Sequence, residues 1–329
     1  MSTQSNVVSP WGTIPSTGLF GPWKEPAFVI IYGPTKAGKT CDAIWAFPHS
    51  AIYFCVHSDG LKGAVKIVGW QLRPDQIRQT FTLSQAYGML QQMAQDNDTR
   101  RQAGDFPAYL CLVIDDLSLM VDNEMAAMKQ LDKYKVGGGY DWTIWTDLMA
   151  LILAFGNLAR YAGIHVIANA HVRGPDIDSK GKHHRGGPHL PSLKQVKRLP
   201  TIASSVLKIE SDVTQPMWPA VFRCEPDPSF IMGDRHGLRG KAPMNLGEWM
   251  RSNDYVIPRP PELTWMEEWV ETIADRLDSG RDRAELVQKA KETLLAKGHT
   301  PQHVYWVIRD GVHRHAFRKI NANNLLGWV

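Results

Sequence analysis

The chain has 329 residues, of which 43% are hydrophobic and 21% charged, a balance typical of a soluble globular protein with one large domain or two smaller ones. The formal net charge of +4 is only mildly basic, so any interaction with nucleic acid has to depend on where the cations lie. No apolar run approaches ~18 residues without a polar break, and the polar N-terminus lacks a signal-peptide pattern, so we expect a cytoplasmic protein with no membrane span.

Strands and helices alternate along the first two thirds of the chain. Short apolar runs predict buried strands, whereas segments with helical spacing of apolar residues predict helices. Apolar strands that alternate with helices indicate an α/β fold, in which a mainly parallel sheet is covered by helices on both faces. The predicted strands are 28–32, 51–57, 109–116, 164–171, 204–212 and 219–227, and the predicted helices include 39–47, 84–95 and 145–163.

The composition changes at both ends of this α/β region. The N-terminal segment is polar and contains prolines and glycines, which favours an irregular arm. A proline-bearing stretch near residue 250 is typical of a connector, and the helical patterns after it predict a small C-terminal helical unit. The predicted division is an arm over 1–25, a core over 26–240, a linker over 241–260 and a helical domain over 261–329.

The four cysteines, Cys41, Cys55, Cys111 and Cys224, lie far apart in the chain. Three of them fall within apolar runs, and no C-x-x-C pair suggests a zinc site. We therefore expect free, buried thiols in a reducing compartment.

The stretch IIYGPTKAGKT contains the spacing G-x-x-x-x-G-K-T between a predicted strand and a predicted helix. In this context the backbone N–H groups of the loop and the start of the helix converge on phosphate groups. Lys39 is expected to reach the β- and γ-phosphates of a nucleotide, and the Thr40 hydroxyl to ligate Mg²⁺. The predicted nucleotide-binding residues are Gly33, Pro34, Thr35, Lys36, Ala37, Gly38, Lys39, Thr40 and Cys41.

A second group of candidate residues follows two other strands. Asp115 ends the apolar run LCLVID, at the sheet edge where open α/β folds bind ligands, so we predict that it completes the metal site with Thr40. Asp116 is a candidate for orienting or deprotonating the attacking water, although a residue at a helix N-terminus would look the same. Asn169 and His171 end the strand HVIANAH and are candidate sensors of the γ-phosphate, or else ordinary polar residues at a strand end.

The order of GPTKAGKT, AIYFCVHSDG, YLCLVIDDLS, HVIANAHVRG and IASSVLKIESD resembles that of RecA-like P-loop ATPases. It is most similar to the compact phage-type members of the AAA-domain nucleotide-binding family, several of which act as single-strand annealing and recombination proteins. The resemblance covers residues 25–240 and implies an oligomer, either a ring or a filament. If the protein is phage-encoded, its compartment is the bacterial host cytoplasm.

In RecA-like proteins, the loop that follows the phosphate-sensing strand contacts DNA. The corresponding segment here contains glycines and many cations, which suit a phosphate backbone without reading sequence. A solvated basic loop without a partner is the alternative. The cations that the resemblance assigns to single-stranded DNA are Arg173, Lys180, Lys182, Arg185, Lys194, Lys197 and Arg198.

The resemblance also bears on catalysis. FIMGDRHGLRG is similar to the segment that places an arginine against the nucleotide of a neighbouring subunit, so Arg235 is a candidate arginine finger, or else part of a surface turn. Gly233 stands where that segment usually has a lysine. RecA itself has a catalytic glutamate after its third strand, but the comparable stretch here offers Gln85, which is why Asp116 becomes the candidate base.

Aromatic residues near both termini suggest contacts with other molecules. Twelve tryptophans, several in segments outside the predicted core, favour protein partners. Tyr305 and Trp306 lie among cations and could stack bases, or could belong to the core of the helical unit. The leading hypothesis is an ATPase that acts on single-stranded DNA in recombination or annealing. The alternatives are a DNA-packaging motor and a barely active nucleotide-binding adaptor.

Overall fold

The computed structural model describes residues 6–9, 12–15, 26–137, 139–192, 197–198, 202–211, 220–224, 227–235, 240–255, 267–278 and 282–326. Within these ranges, none of the helices combines the length and the apolar character that a membrane crossing requires.

A ten-stranded sheet forms the centre of the molecule, with its main strands in the order β16-β14-β13-β3-β9-β6-β4-β5. The six strands from β13 to β5 are parallel, and β14 and β16 extend the sheet in antiparallel fashion. The strands are β1 Asn6–Ser9, β2 Gly12–Pro15, β3 Phe28–Gly33, β4 Ala51–Cys55, β5 Ile77–Gln79, β6 Cys111–Asp115, β7 Lys135–Val136, β8 Gly139–Tyr140, β9 His165–Arg173, β10 Asp176–Ile177, β11 His183–His184, β12 Gly187–Pro188, β13 Ser205–Ser211, β14 Ala220–Arg223, β15 Gly233–Asp234 and β16 Lys241–Pro243.

Helices cover both faces of the sheet. One face packs against α3, α4 and α5, and the other against α1, α2 and the helices of the C-terminal region. This arrangement explains why β3 and β4 are apolar along their whole length, and it confirms the predicted α/β fold. The helices are α1 Lys39–Ala46, α2 Ser58–Val68, α3 Leu83–Gln102, α4 Leu117–Gln130, α5 Thr143–Tyr161, α6 Leu246–Ser252, α7 Glu267–Asp278, α8 Arg283–Ala296 and α9 Pro301–Leu326.

The segment that the sequence suggests as a linker, 241–260, contributes to the core wherever it is described. Its first residues form β16, which pairs with β14. Asn245 accepts a hydrogen bond from Glu248 N and so caps α6, whose Trp249 is completely buried. Residues 241–255 are therefore not a connector, because an edge strand and a buried helix occupy them. At the other end of the chain, β1 and β2 form a hairpin within the arm over 1–25.

The C-terminal helices share one hydrophobic core with the first two helices of the α/β region. Trp306 of α9 stacks on Trp45 of α1 with ring centroids 5.7 Å apart, and Trp45 lies 4.7 Å from Trp70. Trp306 is buried, so the core alternative describes this residue, whereas Tyr305 is half exposed. Packing of α9 against α1 places the C-terminal region directly behind the helix that follows the glycine-rich loop.

His313 on α9 predicts a pH dependence of folding stability. Burial, and next the nearby Arg309 charge, hold its pKa well below the usual 6.5, so it is neutral in the folded state. The unfolded chain binds a proton at this site below about pH 6.5, and folding stability should fall as the pH drops through that range. We expect His313→Gln to reduce the loss of unfolding free energy between pH 7 and pH 5.5, as measured by urea denaturation. An unchanged pH slope would contradict this assignment.

Candidate functional site

The glycine-rich loop connects the central strand β3 to helix α1. Gly38 precedes α1 with φ of 89°, in the left-handed region that glycine adopts without strain. The Lys39 side chain is folded over the loop, and its Nζ donates to the carbonyls of Gly33, at 3.1 Å, and Pro34, at 2.8 Å. The predicted phosphate-binding residues therefore form one loop and the first turn of α1, between the expected strand and the expected helix.

Gly33 is required for a second reason, which is the packing of the sheet. A Cβ at this position would lie 2.9 Å from Ile209 Cβ and 3.2 Å from the Ile209 carbonyl oxygen on β13. Since β13 contributes backbone to this contact, the neighbouring strand has little room to move. Gly33 thus lets the loop begin close to the strand beside it.

The acidic side of the site lies two strands from β3, with β9 between them. Residue pairing places Ile31 beside Asn169 and Ile114 beside Ala168, so Asn169 is level with Asp115 at the carboxyl edge. Asp115 Oδ2 accepts a hydrogen bond from Thr40 Oγ1 at 3.0 Å, and Oδ1 accepts one from Asn169 Nδ2 at 3.2 Å. The structure therefore brings the predicted metal pair and one candidate sensor into direct contact.

Burial shifts the proton affinities of this cluster. It raises the pKa of Asp115, against the opposing effect of the hydrogen bonds from Asn169 and Thr40. It also lowers the pKa of Lys39, while Asp116 and Asp115 act in the opposite direction. Asn169 Oδ1 is fully buried and has no hydrogen-bond partner among the described residues. Oxygen donors from Thr40 and Asp115 next to this buried carbonyl fit a hydrated Mg²⁺ ion.

Asp116 lies at the N-terminus of a helix, one of the two interpretations that its sequence position allows. Its Oδ1 accepts a hydrogen bond from Leu119 N at 2.8 Å, so it is the N-cap of α4. Its Oδ2 lies 2.6 Å from His171 Nε2, and His171 N donates to Ser118 Oγ at 3.0 Å. The side chain is therefore oriented by the helix and by His171, and its role as a base stays a prediction.

Another carboxylate near the same edge escaped the sequence analysis. Helix α2 begins beside Asp115, since a Cβ on Gly60 would lie 3.8 Å from Asp115 Oδ2. The preceding Asp59 is exposed and lies 3.2 Å from Lys62 Nζ. The signal for it was the position of HSDG directly after the second predicted strand, since parallel strands place their carboxyl ends at one edge.

The described part of the basic segment after β9 contains a short ordered hairpin, which we call the basic hairpin, whereas its glycines suggest a flexible loop. β10 pairs with β11, and Asp178 organises the turn between them. One Asp178 oxygen accepts from Lys180 N and Lys182 N, both at 2.9 Å, and the other lies 2.9 Å from His184 Nε2. The turn therefore presents two neighbouring lysines, both exposed, at its tip.

The other predicted DNA-binding cations have different surroundings. Arg173 lies 3.9 Å from Asp176 at the base of the hairpin. Arg185 donates to the backbone carbonyls of Asp227 and Phe230, so it attaches the hairpin to the segment before β15. Lys197 and Arg198 are exposed, and Lys194 lies outside the described residues. Lys180 and Lys182 are thus the cations best placed to meet a ligand, although their DNA-binding role stays a prediction.

A second hairpin, absent from the sequence analysis, exposes aromatic rings. We call residues 131–142 the aromatic hairpin; they include β7 and β8, and residue 138 is not described. Trp142 is 81% exposed and Tyr140 is 52% exposed. Lys129 Nζ lies 5.4 Å from the centre of the Tyr140 ring, as in a cation–π pair. Exposed aromatic rings beside lysines are unusual on a surface that contacts only water.

The aromatic hairpin lies near the carboxyl edge of the sheet, the edge at which the glycine-rich loop follows β3. Gly156 of α5 packs against Phe28, where β3 begins. The start of α5 at Thr143 is about 20 Å from Gly156 along the helix, and β3 is about 17 Å long, so α5 begins near the carboxyl edge. At that edge, Asp122 of α4 lies 3.6 Å from His189 Nε2, and His189 N donates to His171 O.

Arg235 lies at the opposite edge of the sheet. Its backbone N donates to Ser204 O at 3.2 Å, and Ser204 N donates to Phe28 O at 2.7 Å. Phe28 begins the strand whose other end carries the phosphate-binding loop. The side chain is therefore remote from Lys39 of its own subunit, and a role as an arginine finger would need the nucleotide of a neighbouring subunit.

The fold and this site define a nucleotide-binding protein of the P-loop ATPase type. A family model described as AAA domain matches residues 25–236, which is more than half of the chain. The chain therefore belongs to the AAA domain family. No curated protein matches the chain.

Proposed function

We propose that the protein hydrolyses ATP with Mg²⁺ and acts on single-stranded DNA, in recombination or annealing of the phage type. The observation that supports the proposal is that the Lys39 loop and the Lys180–Lys182 turn follow two adjacent parallel strands, β3 and β9; the exposed rings of the aromatic hairpin add to it. A nucleotide site beside a surface of cations and open rings is the arrangement expected of an ATPase that holds flexible nucleic acid.

The residues of the nucleotide site divide the chemistry among them. Lys39 leaves the carbonyls of Gly33 and Pro34 to bind the β- and γ-phosphates, and the loop N–H groups bind the remaining phosphate oxygens. Thr40 and Asp115 are the residues that would hold a magnesium ion, which would supply neutralisation of charge on the phosphate oxygens. Asp116, oriented by Leu119 N and His171, accepts the proton of the attacking water.

His171 and Asn169 lie between the phosphates and the DNA-binding hairpin. Asn169 contacts Asp115, and His171 contacts Asp116, on the strand that continues to Arg173. A change at the γ-phosphate therefore acts on the same strand that begins the basic hairpin. Arg235 at the far edge is suited to a neighbouring subunit in a ring or filament, where it would neutralise charge on the transferred phosphoryl group. The Trp-bearing termini are candidate sites for protein partners.

Trp142→Ala and Tyr140→Ala are each expected to weaken single-stranded DNA binding by about 1–3 kcal/mol, the value of one base stacked on an aromatic ring. Neutralising Lys180 and Lys182 together should instead lower the salt dependence of binding, because phosphate contacts release counterions. Fluorescence anisotropy with oligo(dT) at several salt concentrations measures both effects. Tyr161→Ala is a matched control, because Tyr161 is also an exposed aromatic residue, 67% exposed. It lies at the other end of α5, away from the aromatic hairpin. Equal loss in the control would contradict the aromatic hairpin as a base-stacking surface.

A steady-state phosphate-release assay tests the proposed function as a whole. We expect slow release from the protein alone and faster release with single-stranded DNA. Stronger stimulation by double-stranded DNA would replace the proposal with a packaging motor. Tight ATP binding without release under any condition would replace it with a nucleotide-binding adaptor.

A further inference from the structure

The helix that follows the phosphate-binding loop carries a buried carboxylate whose two oxygens both contact the C-terminal region. Asp42 lies three residues after Lys39, in the first turn of α1, and is completely buried. Its Oδ1 accepts from Arg309 Nη2 on α9, and its Oδ2 accepts from Leu246 N, at 2.8 Å, at the start of α6. Two elements from beyond residue 240 thus meet at one side chain of the phosphate-binding helix.

Arg309 joins α9 to α1 through a second contact as well. Its guanidinium lies 4.1 Å from the centre of the Trp306 ring, and Trp306 stacks on Trp45 at the other end of α1. Arg309 is 5% exposed, and its guanidinium contacts both Asp42 and the Trp306 ring. Helix α9 therefore contacts the short helix α1 at two positions, through the Arg309–Asp42 ion pair and the stacked rings of Trp306 and Trp45.

The neighbouring residue fixes α6 in the same arrangement. Asp310 Oδ1 accepts from Asn245 Nδ2 at 2.5 Å, and Asn245 is the N-cap of α6. Asp310 Oδ2 also lies 3.5 Å from Arg314 Nη2. This buried polar network connects α1, α6 and α9, and it constrains their relative orientation far more narrowly than apolar contacts alone would.

A buried ion pair is weak evidence for stability, because apolar side chains of similar volume often stabilise a core equally well. Its distinctive property is that hydrogen bonds depend on direction. Both oxygens of Asp42 accept their hydrogen bonds in one relative arrangement of α1, α6 and α9. Lys39 and Thr40 sit on the same turn of α1, and small displacements of groups that bind a reacting phosphate have large consequences. We propose that Arg309 is a positioning residue, which acts through Asp42 to hold α1 and its phosphate-binding groups in place.

The inference rests on the proposed nucleotide site, and the first measurement is the Kd of a fluorescent ATP analogue. We expect Arg309→Met to raise this Kd at least about 10-fold, and Arg309→Lys to recover part of the loss, since it retains a cation for Asp42. Arg318→Met is the matched control, because Arg318 lies on the same helix but pairs with Glu271 at the surface. Its Kd should equal that of the wild type. A folded Arg309→Met variant with wild-type Kd would overturn the proposal.

Arg309→Met leaves the Asp42 charge buried without its cation, so the variant can fail to fold. The double variant Asp42→Leu/Arg309→Met removes both charges and keeps the volume, and thermal unfolding verifies that it is folded. A raised Kd in this folded variant supports positioning, and a wild-type Kd overturns it.

Amide hydrogen exchange separates this inference from the proposed function, because it needs no nucleotide. Faster exchange confined to residues 33–42 in the double variant supports positioning, and unchanged exchange there contradicts it. Failure of the wild type to bind ATP would contradict the proposed function, but not the exchange result.

Discussion

Lys39→Ala is expected to lower the rate of ATP hydrolysis on the order of 10²–10³-fold. Removal of one group that stabilises transition-state charge has an effect of this size in other enzymes. Lys39 begins the helix that follows the loop, and its Nζ donates hydrogen bonds to two loop carbonyls. Burial lowers the pKa of Lys39, and the charges of Asp116 and Asp115 oppose this shift by favouring the cation that compensates phosphate charge. Steady-state phosphate release, with and without oligo(dT), measures the loss.

The fold should survive this substitution. The substitution removes two hydrogen bonds to loop carbonyls, whereas the contacts of Asp115 with Thr40 and Asn169 stay in place. Lys66→Ala on α2, an exposed lysine on the neighbouring helix, is the control and should retain full activity. The variant also tests coupling: if its DNA binding still responds to ATP, the proposed path from the loop through His171 to the basic hairpin is wrong.

Local motifs are what the sequence reveals best about this site. The G-x-x-x-x-G-K-T spacing places backbone and side-chain groups within one turn of chain, so no long-range information is needed to interpret it. Asp115 and Asn169 are also predictable, because the carboxyl ends of parallel strands meet at one edge. Their contact with each other is not, since it depends on β9 lying between β3 and β6.

The short hairpins and α2 were harder to predict for local reasons. Two glycines within SDGLKGAVKIV weaken the helical preference of α2, although its apolar face packs on α1. The basic hairpin has strands of only two residues, and Asp178 orders its turn through contacts that no periodicity reports. The aromatic hairpin looked like the approach to α5, because Trp142 and Trp145 continue the helical spacing while only the first is strongly exposed.

The segment 241–255 was misinterpreted as part of a linker because its polar residues, together with Pro243, outnumber its apolar ones. Pro243 stands at the end of an edge strand, where a missing N–H is tolerated. Asn245 and Glu248 are polar residues that the fold buries with partners. Composition does not reveal such pairing. Trp249 is buried because α6 packs against both α1 and α9.

Trp249→Ala is expected to lower the free energy of unfolding by about 3–5 kcal/mol, the usual cost of truncating a buried aromatic side chain. Trp249 is completely buried, and its ring centroid lies 6.2 Å from that of Tyr255. The cavity would open between α6 and the rest of the core, and Asp42, which accepts from Leu246 N on α6, keeps that helix from collapsing into it. Urea denaturation followed by circular dichroism measures the change.

Trp142→Ala is the matched control for this prediction, because it removes the same side chain from the surface. Trp142 is 81% exposed, so its loss should change the free energy of unfolding by less than about 0.5 kcal/mol. The pair of variants therefore separates two uses of tryptophan in one chain: Trp249 should affect stability, and Trp142 should affect DNA binding alone. A small effect of Trp249→Ala would contradict the expectation that the packing of α6 contributes strongly to the stability of the core.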